Sequence, residues 1–302
     1  QSLPGVITAV CGYANGHSVA APTYQQVCAG NTGYRETVRV DYDPEKISLD
    51  AILFAFFYVI DPAMQNRQGN DMGSQYQTGV YFTDSETEAT VARIAAIQRE
   101  RNRIFNVEIK PLISFYPAEE YHQNYLTKNP QGYCHIPAGE IALLRESKID
   151  PGRYRRPETW QIKKMLSGEQ YRVTQEAATE PPYENAYWNL LQPGIYVDVV
   201  TGEPLFSGED KYASSCGWPA FSQPIDGAAM VYVDDDSDGM QRVEVKSRAG
   251  NSHLGHVFIH DAESPTGARF CINSAALRFI PRECMEEEGY GYLMDDLYKT
   301  RA

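Results

Sequence analysis

Polar and apolar residues alternate along Glu36-Thr37-Val38-Arg39-Val40-Asp41-Tyr42, the period of two that half-buries a strand. Upstream, from Thr8, short apolar stretches alternate with Gly, Asn and Thr. Ser48-Leu49-Asp50 then caps a strongly apolar segment through Ile60, and Asp84-Ser85-Glu86-Thr87 opens a second helix running to about Arg103. Val107-Glu108-Ile109 reads as a further strand. Strand, helix, strand, helix within about 130 residues predicts an α+β domain at 1–136.

Between 137 and 167 the pattern breaks. Pro137, Gly139, Pro151-Gly152 and Pro157 punctuate the basic stretch Arg153-Tyr154-Arg155-Arg156, which reads as a linker with one short helix near Glu158 to Leu166. From 168 to 302 the character changes. Gly194 to Phe206, Ala229 to Val233, Gln241 to Ser247, His256 to Ile259 and Ala276 to Phe279 are short, alternating and separated by Gly, Pro, Asp or Ser. They predict a mainly β domain, an antiparallel sheet curled into a barrel or sandwich.

The chain has 302 residues, room for about two domains at roughly 150 residues each. Its formal charge of −13 and the absence of a Lys/Arg cluster argue against a nucleic-acid ligand. The longest apolar run, Ala51 to Ile60, is well short of the about 20 residues a membrane span needs. Six widely spread cysteines without a Cys-x-x-Cys pair exclude a secreted disulfide framework and leave core thiols or redox chemistry. The chain opens Gln-Ser-Leu-Pro-Gly-Val, with neither initiator Met nor signal pattern, so compartment is open: cytoplasmic, or cell envelope or secreted if an upstream signal was removed.

Two clusters carry candidate chemistry. In the first, Gly69 to Tyr76 forms a polar loop whose Asp71, Gln75 and Tyr76 offer a hydrogen-bonding wall. Pro22-Thr23-Tyr24 and Glu36 add proton donors, and Asn129 to His135 puts Cys134 in a turn. Taken singly, each is equally a surface turn. In the second, Ser215 to Phe221 stands with His253-Leu254-Gly255-His256 and Arg269-Phe270-Cys271-Ile272-Asn273. Two histidines at i, i+3 suggest zinc, but no third ligand has matching spacing. A cysteine two residues from an arginine, with two histidines available, better suits a low-pKa thiolate. The plain alternatives are Trp218 as core, His253 as a satisfied strand residue and Cys271 as a buried thiol.

Gly12-Tyr13-Ala14-Asn15-Gly16, the Gly69 to Tyr76 loop, Glu119-Glu120-Tyr121-His122-Gln123 and Asn129 to Ile136 resemble a methionine sulfoxide reductase A domain. Tyr171 to Gln175, Cys216-Gly217-Trp218-Pro219, His253 to Phe258 and Arg269 to Phe279 resemble a methionine sulfoxide reductase B domain. The resemblance covers nearly the whole chain outside 137–167 and implies a bifunctional A–B fusion. Such an enzyme repairs oxidised proteins or free methionine sulfoxide, with thioredoxin or a similar dithiol as partner and no cofactor.

For the B domain the resemblance implies reduction of the R epimer with Cys271 as nucleophile and Cys216 as resolving thiol. Trp218 would hold the substrate methyl, while His253, His256, Arg269 and Asn273 would orient the oxygen and stabilise charge on it. The positions where many B domains carry four zinc-binding cysteines are Asp198, Thr201, Ser247 and Gly250, which implies the zinc-free subtype. For the A domain it implies reduction of the S epimer. Glu36, Tyr24 and Tyr76 would bind and protonate the oxygen, Asp71 would support them, and Cys134 would resolve the sulfenic acid. The family's nucleophile lies in a Gly-Cys-Phe-Trp-Gly motif that this sequence does not contain, and its place is expected upstream of Gln1. Cys11 and Cys28 match neither role and read as core or strand thiols. Three other readings stand beside this one: a non-catalytic binder of oxidised proteins, an enzyme active only in its B domain, and a metalloenzyme using His253 and His256.

Overall fold

A computed structural model of the chain describes residues 1–17 and 20–299, the side chain of Asp238 excepted. The chain divides into two compact units, Gln1–Glu146 and Ser147–Ala302. The stretch 137–167 contains the expected helix, at Thr159–Met165, and also a helix at Ala138–Glu146 and a 3-10 turn at Pro151–Arg153. Its basic residues pack within the second unit: Arg153 lies 4.7 Å over the Tyr292 ring, and Tyr154 and Tyr292 share a 2.8 Å hydroxyl bond. Buried Ile149 and Tyr154 join a core cluster there, which local Pro and Gly content does not reveal.

In the first unit the Val6–Ala14 strand lies between Arg35–Tyr42 and Phe115–Pro117, all antiparallel. Gly79–Phe82 pairs in parallel with Glu108–Pro111, and the Ser85–Arg101 helix supplies the crossover that a parallel pair requires. Both predicted caps form. The Ser48 hydroxyl accepts from Ala51 N to start the Leu49–Val59 helix, and Asp84 accepts from Glu86 N and Thr87 N to start the longer one. Val91, Ile94, Ala95 and Gln98, at helical spacing, are buried, and Val91 and Ile94 pack with Leu53, Phe54 and Phe57.

The second unit builds two antiparallel sheets over two core clusters. Six strands run in the order Lys211–Tyr212, Ala220–Phe221, Ala268–Ile272, His253–Ile259, Arg242–Ser247 and Met230–Asp235. Three more run Leu277–Pro281, Gly194–Asp198, Pro204–Ser207. Phe270 and Ile272 turn into the core with Tyr196, Phe206 and Leu254, so the period of two puts Arg269 and Cys271 on the opposite face of their strand. Alternation in Gly194–Asp198 serves two cores, Tyr196 facing the first and Ile195 and Val197 the second.

Candidate active site

Cys271 sits opposite His256 on one neighbouring strand and Ala220 on the other. The Ala220 pairing draws the preceding turn, Ser214 to Pro219, against Cys271, and the Cys271 thiol donates to the Cys216 sulfur at 3.4 Å. That bond draws the Cys216 thiol down to about 6 and holds the proton of Cys271 far above the usual thiol range. Arg269, on the same strand face as Cys271, favours the anion on both sulfurs. At neutral pH the pair therefore keeps one proton and one negative charge. Buried Lys211 is lowered by desolvation to about 8 and pulled back up by the Cys216 charge.

In a regular strand His253 and His256 would point to opposite faces, because their spacing is odd. A register shift resolves this: Val245 pairs with Gly255 but Lys246 with His253, so Leu254 is extra. Both imidazoles thus meet, their ring centroids 5.6 Å apart. Gly255 permits the tight approach, since a Cβ there, at φ +151°, would stand 2.1 Å from the Cys271 carbonyl oxygen.

His253, His256 and Arg269 each face a carboxylate that the sequence reading did not find. His253 Nδ1 lies 2.6 Å from Glu244, His256 Nε2 2.8 Å from Asp235, and Arg269 3.0 Å from Asp261. His256 is nevertheless lowered, because its desolvation outweighs Asp235. Since Nε2 of His256 is engaged, His253 Nε2 and Arg269 Nε are the buried groups of this set left without a hydrogen-bond partner. Asn273, expected to help orient the oxygen, is held by the backbone. Its Nδ2 donates to Leu254 O and its Oδ1 accepts from Glu180 N, each at 3.1 Å, so both amide atoms are bound to the protein's own backbone. The Trp218 indole N–H donates to Glu180 O at 2.9 Å, leaving the half-buried ring as the apolar face.

Asp198, Thr201, Ser247 and Gly250 do meet. The fully buried Asp198 carboxylate accepts from Ser247 at 2.7 Å, Ser252 at 3.0 Å, Thr201 at 3.3 Å and Val200 N at 2.9 Å. A Cβ at Gly250 would stand 2.0 Å from Asp198 Oδ2. One carboxylate with hydroxyls already donating to it does not fit a tetrahedral thiolate zinc site. Among the described residues no group of three or more His, Cys, Asp or Glu is placed to hold a metal ion, and the histidine pair gains no third ligand.

In the first unit Thr23 caps the short Tyr24–Cys28 helix, and Glu119 fixes Tyr24 by accepting from its backbone N at 2.9 Å and from the Tyr13 hydroxyl at 2.7 Å. Gln123 serves as an extra strand partner, bonding Cys11 N and O at 3.0 and 2.9 Å. Glu36, Tyr76 and Tyr24 lie near enough to influence one another's protonation, and Tyr24 likewise neighbours Cys28. Burial raises Glu36, and nearby Asp71 adds to the shift, which favours the protonated acid. The turn carrying Cys134 lies on the Gly69–Asp71 loop: the Tyr133 hydroxyl accepts from Asn70 N at 3.1 Å, and His135 stands 3.9 Å from Asp71. Cys11 is a strand thiol raised by burial, as expected. Cys28 is not core. It is exposed, because its five-residue helix buries only Val27. A cavity of about 490 Å³, lined by Asn15, Arg35, Ser74, Glu108 and Lys110 among others, takes Asn15 and Ser74 from the motifs of the resemblance but none of the residues given a catalytic role.

Residues 1–150 match the family model described as peptide methionine sulfoxide reductase, and residues 166–281 match the SelR domain. Among solved structures, reduced Mxr1 from Saccharomyces cerevisiae is 35% identical over 44% of this chain and 78% of its own, with TM-score 0.42. Methionine sulfoxide reductase A of Corynebacterium diphtheriae is 33% identical over 44% of this chain and 73% of its own, with TM-score 0.39. The chain belongs to the methionine sulfoxide reductase family as a fusion of an A-type unit and a B-type, SelR unit. Its two family matches make it an oxidoreductase of methionine sulfoxide that works through thiols, A-type units acting on the S epimer and B-type units on the R epimer. Among the described residues no helix is long and apolar enough to cross a membrane.

Proposed function

We propose that Cys271 attacks the R-sulfoxide and Cys216 resolves it, a reading carried by their 3.4 Å contact. The proton held on Cys271 passes to Cys216 as Cys271 attacks the sulfoxide sulfur. The oxygen takes up a proton and leaves on Cys271 as the sulfenic acid, releasing methionine. His253 Nε2 and Arg269 Nε lack partners and supply the donors for that oxygen, while Trp218 holds the methyl. The Cys216 thiol then displaces water from the sulfenic acid to form the Cys216–Cys271 disulfide, which thioredoxin or a similar dithiol reduces. In the A-type unit, Glu36, Tyr76 and Tyr24 bind and protonate the oxygen of the S epimer, Asp71 supports the loop, and Cys134 resolves the sulfenic acid formed on the thiol of a Gly-Cys-Phe-Trp-Gly motif, which residues 1–302 do not contain. Oxidised proteins and free methionine sulfoxide are the substrates.

The test is chiral separation of the sulfoxide epimers of a blocked methionine after incubation of the 1–302 polypeptide with dithiothreitol. We expect the R epimer to disappear and the S epimer to remain, since Cys11 and Cys28 are assigned no part in attack. Retention of the R epimer would refute the Cys271 assignment. Loss of the S epimer would assign attack to a thiol within 1–146, with Cys28, on Tyr24, the first to substitute.

A further inference from the structure

Between the Gly168–Glu176 helix and the Gly194–Asp198 strand lies a buried acid, Glu180, only 5% exposed, while Glu184 in the same loop is exposed. Every polar group Glu180 has is engaged around the thiol pair. Its carboxylate accepts from Ser274 N and, at 3.0 Å, from Ala275 N, satisfying the free amides that open the Ser274–Ala276 turn. Its own N–H donates to Asn273 Oδ1, and its carbonyl accepts the Trp218 indole N–H. The same loop crosses a second time at Asn185, which bonds Gly217 O at 2.9 Å and the Ser274 hydroxyl at 2.7 Å. Trp218 follows Cys216 by two residues and Asn273 follows Cys271 by two. Glu180 therefore ties the two cysteine-bearing segments at equivalent points, in a site where a shift of an ångström matters.

We infer that Glu180 is a positioning residue for R-sulfoxide reduction, holding the Trp218 indole and the Cys271–Asn273 segment in one frame. This rests on the roles given above to Trp218 and Cys271. Glu180 touches no reacting atom. Its carboxylate fixes the loop to the Ser274 turn, and the loop backbone then fixes the indole in a single orientation. Glu180→Gln keeps the volume but sets an amide N–H₂ against a backbone N–H, so the loop loosens.

The experiment is a double-mutant cycle on the full chain, with Glu180→Gln, Trp218→Phe and both together, assayed on the R epimer with melting curves alongside. Glu180→Gln is expected to raise KM about tenfold while kcat changes less than about threefold, the mark of lost binding geometry. In the Trp218→Phe background, where no indole N–H remains, the same substitution is expected to change KM by less than about twofold. An unchanged KM, an equal rise in both backgrounds, or a fall in kcat that merely follows lost folded protein would overturn the inference. Should the glutamine variant fail to melt cooperatively, Glu180→Asp, which shortens the reach to Ala275, is read by the same criteria. No R-epimer reduction by the unaltered chain would instead overturn the site assignment, and the inference with it.

Discussion

The residues assigned to the B-type site lie on paired strands and the tight turn they hold, whereas those assigned to the A-type site lie on a five-residue helix, a strand, a 3-10 turn and loops. Strand register fixes one sulfur against the other: closing Cys216 and Cys271 from 3.4 Å to the about 2.05 Å of a disulfide needs side-chain movement alone. Cys134 instead rests on a loop through its neighbours Tyr133 and His135. In the proposed scheme the A-type unit offers an acid, Glu36, raised by burial, beside Tyr76, and the B-type unit offers the thiol pair and two nitrogens without partners, His253 Nε2 and Arg269 Nε.

The comparison breaks most sharply at the thiols. Cys271→Ser should remove R-epimer turnover, at least about 10³-fold, because serine forms no sulfenic acid. Cys216→Ser should yield one equivalent of methionine per chain and then stall with thioredoxin as reductant. Continued cycling would transfer resolution to Cys284, which packs against the second core cluster. Alkylation of Cys216 sharpens the same point through pH. Its thiol is lowered to about 6, so the thiolate is present above that pH, and the rate should fall about tenfold per unit below it. A midpoint near the ordinary thiol value would mean that the Cys271 bond is absent in solution.

Helix caps, which are local, were legible: Ser48 and Asp84 start helices where their side chains predict. Several strands of the B-type unit were legible too, from alternation between turn residues, but Gly194 to Phe206 is two strands and Ala268–Ile272, which carries Cys271, was not among them. The candidate residues could be named from the sequence, but their geometry could not. The extra residue at Leu254 that unites the histidines is a matter of pairing with another strand, and no sequence period announces it. Glu244, Asp235 and Asp261 were invisible for the same reason, as was Glu180, an acid indistinguishable in sequence from an exposed one. The linker reading of 137–167 missed that Ile149, Tyr154 and Ile162 are buried.

Smaller effects test the framework behind the strands. Asp198→Ala leaves the Ser247, Ser252 and Thr201 hydroxyls without their acceptor in a buried site. It should destabilise the B-type unit by about 3 kcal/mol, lowering its melting temperature by roughly 10 °C. Chelator should leave that melting temperature unchanged, since hydroxyls and one carboxylate hold the place of thiolates. A large fall would reveal another ligand set.

The most direct measurement is peptide mapping of the chain after one equivalent of R-sulfoxide without reductant. A single new disulfide joining Cys216 to Cys271, with one equivalent of methionine released, is the predicted result. A bridge from Cys271 to Cys284, or methionine released with both Cys216 and Cys271 still alkylatable, would contradict it.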